Sequence, residues 1–340
     1  LHIARSGETV MNVALGEARP GVPMKRDSVL HIFSSGKPWT TLAIAQLIEQ
    51  NKLKLHQTVQ SIIPEFTNGK ETCTIEYILL HEAGFPMFQY ERNKSNTIDD
   101  FLKDIYGEKA EYIPGTQCGY HGTSSWLVLG EIIRLIDGRR IEKYLEEEIF
   151  KPLKMNDTCL GMPLKRSNDL GNRLAIKDTE PDYVHWSKFD NLFGNYPDPI
   201  KLPGSSGFSS AYDMGKFYKA LWNGGESLDG VRIIKKRTLD FFTETHRKGI
   251  TDHILSLPTL GYQDLRPDFG YGFFKGKALG LSCSLDTFGH GGLRCAKNYC
   301  DPRLDLVVNF ISNTLLNAID NGKRWEEINN AIYEACRYKL

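Results

Sequence analysis

The sequence has no excess of charge, no long apolar run and none of the common nucleotide or metal motifs. Its 42 lysine and arginine residues balance its 42 aspartate and glutamate residues, so the charge does not favour nucleic acid or an acidic membrane surface as a partner. No apolar stretch reaches the roughly 18 residues that a membrane-spanning helix requires. H-E-x-x-H, G-x-x-x-x-G-K-[ST] and G-x-G-x-x-G are all missing, which leaves metalloprotease, P-loop and dinucleotide-binding functions without support and predicts neither a metal nor another cofactor.

The cysteines are few, odd in number and scattered. None forms a C-x-x-C pair, and Cys295 and Cys300 are too far apart for the usual zinc knuckle. Reduced thiols in an intracellular protein are the simplest interpretation, so the sequence favours a cytoplasmic location. No signal peptide is visible. Because the chain starts at Leu1 rather than at methionine, the sequence leaves open whether a leader has been removed. The seven cysteines are Cys73, Cys118, Cys159, Cys283, Cys295, Cys300 and Cys336.

Strand patterns lie near both ends of the chain, and helical patterns fill its middle. Apolar and polar residues alternate near the N-terminus, and strand character returns after about residue 269, before an amphipathic C-terminal segment. Helical spacing with Gly or Pro stops dominates the stretch between. We therefore expect an α/β domain built from residues 1–60 and 251–340, with a mostly helical domain inserted at residues 61–250.

A serine and a lysine lie three residues apart where an apolar helix begins. Ser34 and Lys37 start the run SSGKPWTTLAIAQL, in which Pro38 suits the first helical turn. Residues at i and i+3 share a helix face, so the hydroxyl and the amine would meet. A serine becomes a nucleophile when a base takes its proton, and a desolvated lysine can be that base. Taken alone, this spacing is more often explained without catalysis. The serine then caps the helix N-terminus, and the aliphatic stem of the lysine lies on apolar surface.

Six stretches, of which the first contains this motif, give it a context. They are IFSSGKPWTTLAIAQLIEQNKLKLHQTV, TIEYILLHEAGFP, PGTQCGYHGTSSWLVLGEII, IFKPLKMNDT, SSGFSSAYDMGKFYKALWNGG and FGHGGLRCAKNYCDPRLDLVVNFISN. In this order, over about 280 residues, they resemble the serine β-lactamase and penicillin-binding protein superfamily, whose S-x-x-K serine becomes acylated. The resemblance is greatest to the class C β-lactamases and family VIII carboxylesterases. It implies an α/β fold of the α+β sandwich type, with an antiparallel sheet flanked by helices and the active site in the cleft between the sheet domain and the inserted, mostly helical domain.

The resemblance implies that Ser34, Lys37 and Tyr120 are the catalytic residues. Tyr120 follows a Pro-Gly turn, and the matching tyrosine of the family hydrogen-bonds both the serine and the lysine. A phenol beside an ammonium can act first as a base and then as an acid. The same resemblance assigns the oxyanion hole to the backbone amides of Ser34 and Leu293. A buried tyrosine with a satisfied hydroxyl is the alternative for Tyr120.

The tripeptide at the tyrosine departs from the family pattern. Tyr-x-Asn or Tyr-x-Ser is usual, whereas this chain has Tyr120-His121-Gly122. The missing side-chain amide is the group that usually contacts a substrate amide, so β-lactam and peptide recognition are in doubt. His121 is a candidate for a substitute donor, although a plain loop histidine is the simpler interpretation. The earlier His81 matches a structural position of the family and is expected in the core or at a cap.

The second departure lies in the last motif, where His290-Gly291-Gly292 replaces the Lys-Thr-Gly of penicillin-recognising members. Esterase-like members often have histidine or tryptophan with glycines there. A histidine is mostly neutral at pH 7 and suits a substrate carboxylate less well than a fixed cation, while the glycines allow a close approach of substrate and backbone. We therefore expect His290, Gly291 and Gly292 to bind substrate. Arg294 is a candidate to bind an anionic group of the substrate. An arginine on the strand that faces away from the site is an equally simple interpretation.

These observations predict a serine hydrolase that forms an acyl-enzyme on Ser34, most simply a carboxylesterase for small esters or lactones. The alternatives are a D-amino-acid peptidase, amidase or β-lactamase with the same residues, an acyltransferase, and a scaffold without catalysis. The expected partner is a small ester, lactone or amide rather than nucleic acid or a membrane, and the oligomeric state stays open. Four aromatic residues in loops predict an apolar substrate pocket; they are Phe88, Tyr90, Trp186 and Phe193.

Overall fold

The structure is a computed structural model that describes residues 1–87, 97–179, 201–257 and 266–337. Both ends of the chain supply strands, as the alternating patterns predict. The strands are β1 (His2–Arg5), β2 (Glu8–Asn12), β3 (Glu17–Arg19), β4 (Val22–Pro23), β5 (Leu30–His31), β6 (Cys159–Leu160), β7 (Asp178–Thr179), β8 (Gly207–Ser209), β9 (Phe269–Gly270), β10 (Phe273–Lys275), β11 (Phe288–Gly292), β12 (Ala296–Asp301), β13 (Leu306–Ile311) and β14 (Thr314–Leu315).

A seven-stranded antiparallel sheet joins the first two strands to the last ones in the order β2-β1-β13-β12-β11-β10-β9. The hairpin between β1 and β2 turns at Ser6 and Gly7, whose φ angles of 50° and 84° are the left-handed values that a tight hairpin needs. A smaller sheet, β5-β8-β6, lies next to the start of the central helix. The large antiparallel sheet and its flanking helices confirm the predicted fold class.

The helices are α1 (Lys37–Glu49), α2 (Ile75–Leu79), α3 (Ile98–Gly107), α4 (Ser124–Asp137), α5 (Ile141–Leu145), α6 (Leu164–Leu170), α7 (Ala211–Trp222), α8 (Lys236–Thr243) and α9 (Ala318–Arg337). Helix α1 has Pro38 in its first turn, and residues 37–47 are all buried. This burial follows from packing against α4, α5, α8 and β11, and it explains why the helix is apolar nearly all round. Across the described ranges, none of the helices is both long and apolar enough to span a bilayer.

A row of paired polar residues crosses one face of the large sheet. His2, Asn309, Asn298 and His290 lie opposite one another on β1, β13, β12 and β11, and all four are fully buried. Because side chains alternate along a strand, Tyr299 faces the other side, where its hydroxyl accepts a hydrogen bond from α9. The sheet therefore lies between α9 on one face and the helices around α1 and α7 on the other.

The division into residues 1–60 with 251–340 and an inserted 61–250 stays a prediction. Helix α7 lies within residues 61–250 but packs on β1, β12 and β13. Helix α1 lies within residues 1–60 and packs on α4 and α5 as well as on the sheet. The helix that begins at Lys37 is therefore the layer that joins the sheet to the remaining helices.

Close packing at α7 generates a test of this fold. A Cβ on Gly215 would lie 2.4 Å from the ring of His2, so Gly215→Ala should lower the free energy of unfolding by about 1–3 kcal/mol, as overpacking usually does. Gly107 ends α3, and a Cβ there would meet no atom within 4 Å, so Gly107→Ala should leave stability unchanged or raise it by up to about 1 kcal/mol. Urea denaturation of both variants measures the difference, and equal midpoints would contradict the packing of β1 on α7.

Candidate active site

Ser34 lies in a single 3-10 turn, Phe33–Gly36, that continues directly into α1. Its side chain is half-buried at the N-terminal end of this helical segment, where the helix dipole favours negative charge. Phe33 has a φ of 48°, a left-handed conformation that costs a non-glycine residue roughly 1–3 kcal/mol and persists only where neighbouring structure fixes it. The backbone thus holds Ser34 in a defined orientation.

Ser35 and a close backbone approach join this turn to the sheet. The hydroxyl of Ser35 donates to the carbonyl oxygen of His290 at 3.2 Å and accepts from the amide of Asn298 at 3.1 Å. A Cβ on Gly292 would lie 2.0 Å from the carbonyl oxygen of Ile32, so only glycine lets β11 come this close. These contacts fix the turn that carries Ser34 against the end of β11.

Lys37 is fully buried, and its amine is surrounded by oxygen atoms. Nζ lies 2.7 Å from the carbonyl oxygen of Gly122, 2.8 Å from that of Gly204 and 3.3 Å from Oγ of Ser34. Burial lowers the pKa of Lys37 well below its usual 10.5, because desolvation disfavours the ammonium form. No carboxylate of the described ranges offsets that effect with an ion pair.

A neutral amine accounts for all three of these contacts. It has two hydrogens and one lone pair, and the carbonyl oxygens of Gly122 and Gly204 can only accept, so they take the two hydrogens. In this form the lone pair is left for Ser34, whose hydroxyl would donate to Nζ, whereas an ammonium would donate to all three oxygens. This arrangement places a base at a candidate nucleophile.

The ring of Tyr120 lies beside the same amine. Lys37 Nζ is 5.1 Å from the centroid of this ring and equally far from that of Trp126. The Tyr120 ring also packs on His81, with centroids 4.4 Å apart, and is 9% exposed. The structure thus places Lys37 next to both Ser34 and Tyr120, although Tyr120 comes from a distant part of the chain.

His121 lies in the core rather than at the surface of a cleft. Its Nε2 accepts the backbone N–H of Phe85 at 3.2 Å, and its backbone N–H donates to Nδ1 of His81 at 3.0 Å. Burial lowers the pKa of His121 to about 3, so the ring is neutral. To donate to a substrate, as the sequence suggested, this ring would have to leave the core. His81 accepts the bond from within the core, the location expected for it.

His290 is fully buried as well. Its ring lies near those of Tyr120 and Phe274, with centroid distances of 6.2 and 4.7 Å, and its Nδ1 is 2.7 Å from the carbonyl oxygen of Gly291. Burial lowers the pKa of His290 well below 6.5, so the neutral ring donates from Nδ1. The residue therefore brings no fixed charge to the site and contacts the tyrosine rather than solvent.

Leu293 and Arg294 lie in the turn after β11. Arg294 has a φ of 48°, the same strained region that Phe33 adopts beside Ser34. Phe33 and Cys295 belong to a small apolar cluster on which Leu293 packs. The two backbone segments predicted to supply the oxyanion-hole amides are therefore packed against each other through one cluster.

A cavity of about 330 Å³ lies at this turn, between the end of β11 and α9. Ser34, Lys37 and Tyr120 do not line it, so the cavity adjoins the predicted substrate-binding strand without being the space in front of the serine. Its lining includes Gly291, Gly292, Leu293, Arg294, Lys297 and Trp325.

Several groups of the site were missed by sequence reasoning. The carbonyl oxygens of Gly122 and Gly204 leave no side-chain signature, although Gly122 lies in a segment that resembled the family and Gly204 directly precedes another. Asp252 accepts the backbone N–H of Tyr120 at 2.9 Å, and no spacing in the sequence pointed to it. Among the described residues, no group of three or more metal-binding side chains occurs. The four aromatic residues predicted for the pocket, Phe88, Tyr90, Trp186 and Phe193, lie outside the described residues.

Comparison with known proteins extends over nearly the whole chain. The Beta-lactamase family model matches residues 1–332. "Esterase/beta-lactamase LipL" of Mycobacterium tuberculosis is 25% identical, with 94% of this chain and 77% of that protein covered. The crystal structure of a family VIII carboxylesterase (TM-score 0.81, 22% identity) and that of a penicillin-binding protein homolog from Caulobacter crescentus (TM-score 0.77, 23% identity) each cover 97% of this chain and 91% of theirs. The resemblance inferred from the sequence motifs is confirmed.

The buried amine gives a direct physical prediction. Because desolvation lowers the pKa of Lys37, its amine should stay neutral until the pH falls well below 10.5, and only then take up a proton. We expect NMR titration of lysine labelled at 13Cε to show one signal that titrates far below the rest. Lys37→Met assigns that signal by removing it. A Lys37 signal that titrates together with ordinary lysines, near 10.4, would contradict the neutral amine.

Proposed function

The chain belongs to the Beta-lactamase family, and from this premise we propose that it is a serine hydrolase that forms an acyl-enzyme on Ser34 and acts on small esters or lactones. One observation carries the proposal. The buried Lys37 Nζ lies 3.3 Å from Ser34 Oγ and within hydrogen-bond distance of two backbone carbonyl oxygens, so in its neutral form the amine has a lone pair left for the Ser34 hydroxyl. A serine needs such a neighbouring base to become a nucleophile at neutral pH.

In the proposed reaction, Ser34 Oγ attacks the carbonyl carbon of the ester while its proton passes to Lys37 Nζ. The oxyanion that forms on the carbonyl oxygen is bound by the backbone N–H groups of Ser34 and Leu293. The bond to the alcohol then breaks, and Lys37 and Tyr120 together return the proton to the leaving alcoholate. Water attacks the resulting acyl ester of Ser34, with the same base taking its proton, and releases the acid and the free serine.

Two features favour esters over peptides and β-lactams as substrates. Gly122 has no side-chain amide to donate to the carbonyl oxygen of a substrate amide, and its own carbonyl oxygen already accepts from Lys37. His290 is buried and neutral, so it does not supply the cation that a substrate carboxylate would favour. An uncharged ester needs neither group. The oxyanion hole and the base suffice for it.

Labelling with a fluorophosphonate tests the proposed nucleophile. The wild-type protein should form a phosphonyl adduct that mass spectrometry locates on Ser34, and Ser34→Ala should not be labelled. Lys37→Met should slow labelling by about 100-fold or more, because general-base assistance contributes roughly 10²–10⁴-fold.

Lys70→Met is the matched control, because Lys70 is also fully buried but donates to the carbonyl oxygen of Glu108, on a different segment. This variant should be labelled at nearly the wild-type rate. An unlabelled wild-type protein would contradict the proposal and favour a scaffold without catalysis.

A substrate panel tests the preference for esters. We expect kcat/KM for p-nitrophenyl acetate and butyrate to exceed that for nitrocefin and D-alanyl-p-nitroanilide by roughly 10- to 100-fold, since missing hydrogen bonds to a substrate amide or carboxylate cost about 1–3 kcal/mol. Ser34→Ala measured in parallel gives the background rate for each substrate. Nitrocefin turnover as efficient as ester turnover would show that Gly122 and His290 do not set the preference.

A further inference from the structure

The segment that carries Tyr120 belongs to neither a helix nor a strand, yet three consecutive backbone N–H groups in it are bonded to other parts of the chain. Gly119 donates to the carbonyl oxygen of His81 at 3.0 Å. Tyr120 donates to Oδ1 of Asp252 at 2.9 Å, and His121 donates to Nδ1 of His81 at 3.0 Å. Since no regular element sets the backbone direction here, these three bonds fix the backbone that carries the tyrosine.

Asp252 is the charged member of this set, and it is fully buried. Besides Tyr120, its Oδ1 accepts the backbone N–H groups of Ile254 and Leu255 at 3.1 and 3.0 Å. Its Oδ2 accepts the thiol of Cys118 at 3.2 Å. The Asp252 carboxylate therefore joins two segments. One is the turn with Ile254 and Leu255 that follows it, and the other is the tripeptide that begins at Cys118 and ends at Tyr120.

Arg247 completes the arrangement from the opposite side. It is 1% exposed, and its Nη2 lies 3.5 Å from Oδ2 of Asp252. Its Nη1 donates to the carbonyl oxygen of Leu80 and contacts the sulfur of Cys118, and its guanidinium lies 3.9 Å above the ring of Phe269. A buried charge pair of this kind holds its partners firmly, because removal of one charge leaves the other uncompensated.

We propose that Asp252, supported by Arg247, is a positioning residue for Tyr120. By fixing the backbone amide of Tyr120, the carboxylate sets the place of the phenol relative to Ser34 and Lys37, although it touches neither of them. This inference rests on the proposed function, in which the phenol shares a proton with Lys37. It assigns Asp252 a role in the rate of acylation rather than in substrate binding.

Asp252→Asn tests this role, with Asp213→Asn as the matched control. Asp213 is also buried, accepts the backbone N–H of Asp157 and pairs with Lys216 at 2.8 Å, but it has no bond to the tyrosine segment. Asp252→Asn should slow fluorophosphonate labelling and kcat by about 10- to 100-fold with little change in KM, the size that a small misplacement of a reacting group produces. Asp213→Asn should stay within about threefold of the wild type.

A double-mutant cycle separates positioning from a general loss of structure. In the Tyr120→Phe background, Asp252→Asn should slow labelling by less than about threefold, because the phenol through which it acts is already gone. Hydrogen exchange at the Tyr120 amide should be faster in Asp252→Asn than in Asp213→Asn. If Asp252→Asn does not fold, Arg247→Lys replaces it, with the same expected results. This variant keeps the positive charge but removes the guanidinium group that reaches Leu80.

Two results would overturn this inference while leaving the proposed function intact. One is a labelled wild type in which Asp252→Asn and Asp213→Asn slow the reaction equally. The other is that Asp252→Asn slows labelling by the same factor in the wild-type background and in the Tyr120→Phe background. A wild type that is not labelled would instead contradict the proposed function itself, and with it any role of Asp252 in acylation.

Discussion

The amine of Lys37 lies inside the protein between two backbone carbonyl oxygens, and the chemistry of the site depends on that position. The carbonyl groups of Gly122 and Gly204 are 85 and 167 residues away in the chain, so the enclosure exists only when the chain is folded. A protonated amine there would have three hydrogens in a buried place that has no carboxylate partner among the described residues. Desolvation therefore lowers the pKa of Lys37 and favours the neutral form, in which a lone pair is available to Ser34.

The rest of the site is built from supports that keep each group at its place around this amine. Ser35 ties the turn with Ser34 to β11 and β12, and Phe33 accepts a strained backbone conformation to complete that turn. On the other side, Asp252 holds the backbone of Tyr120. Buried charges and strained residues lower stability, and proteins keep them where function requires a fixed geometry. Their concentration around one serine and one lysine is the strongest structural indication of a reactive site in this chain.

Local patterns in the sequence predicted the elements of the fold, and the structure contains them. The apolar helix after Lys37, the strand at residues 306–311 and the C-terminal helix follow from periodicity and from turn residues, which act over a few positions. The enclosure of the amine could not be predicted in this way, because backbone oxygens look alike in every sequence. Nor does a motif tell which way a side chain faces: the ring of His290, expected to bind substrate, and that of His121, a candidate donor, are both fully buried. Their burial follows from the pairing of segments distant in the chain.

The most direct test of the account is a crystal structure of the protein after reaction with a fluorophosphonate. The account predicts phosphorus bonded to Ser34 Oγ, with the phosphonyl oxygen about 2.7–3.1 Å from the backbone nitrogens of Ser34 and Leu293. The Lys37 amine should remain between its two carbonyl oxygens, and the phenol oxygen of Tyr120 should lie within about 3.2 Å of Ser34 Oγ. An adduct on another residue, a phosphonyl oxygen away from both amides, or a phenol beyond reach of the serine would contradict it.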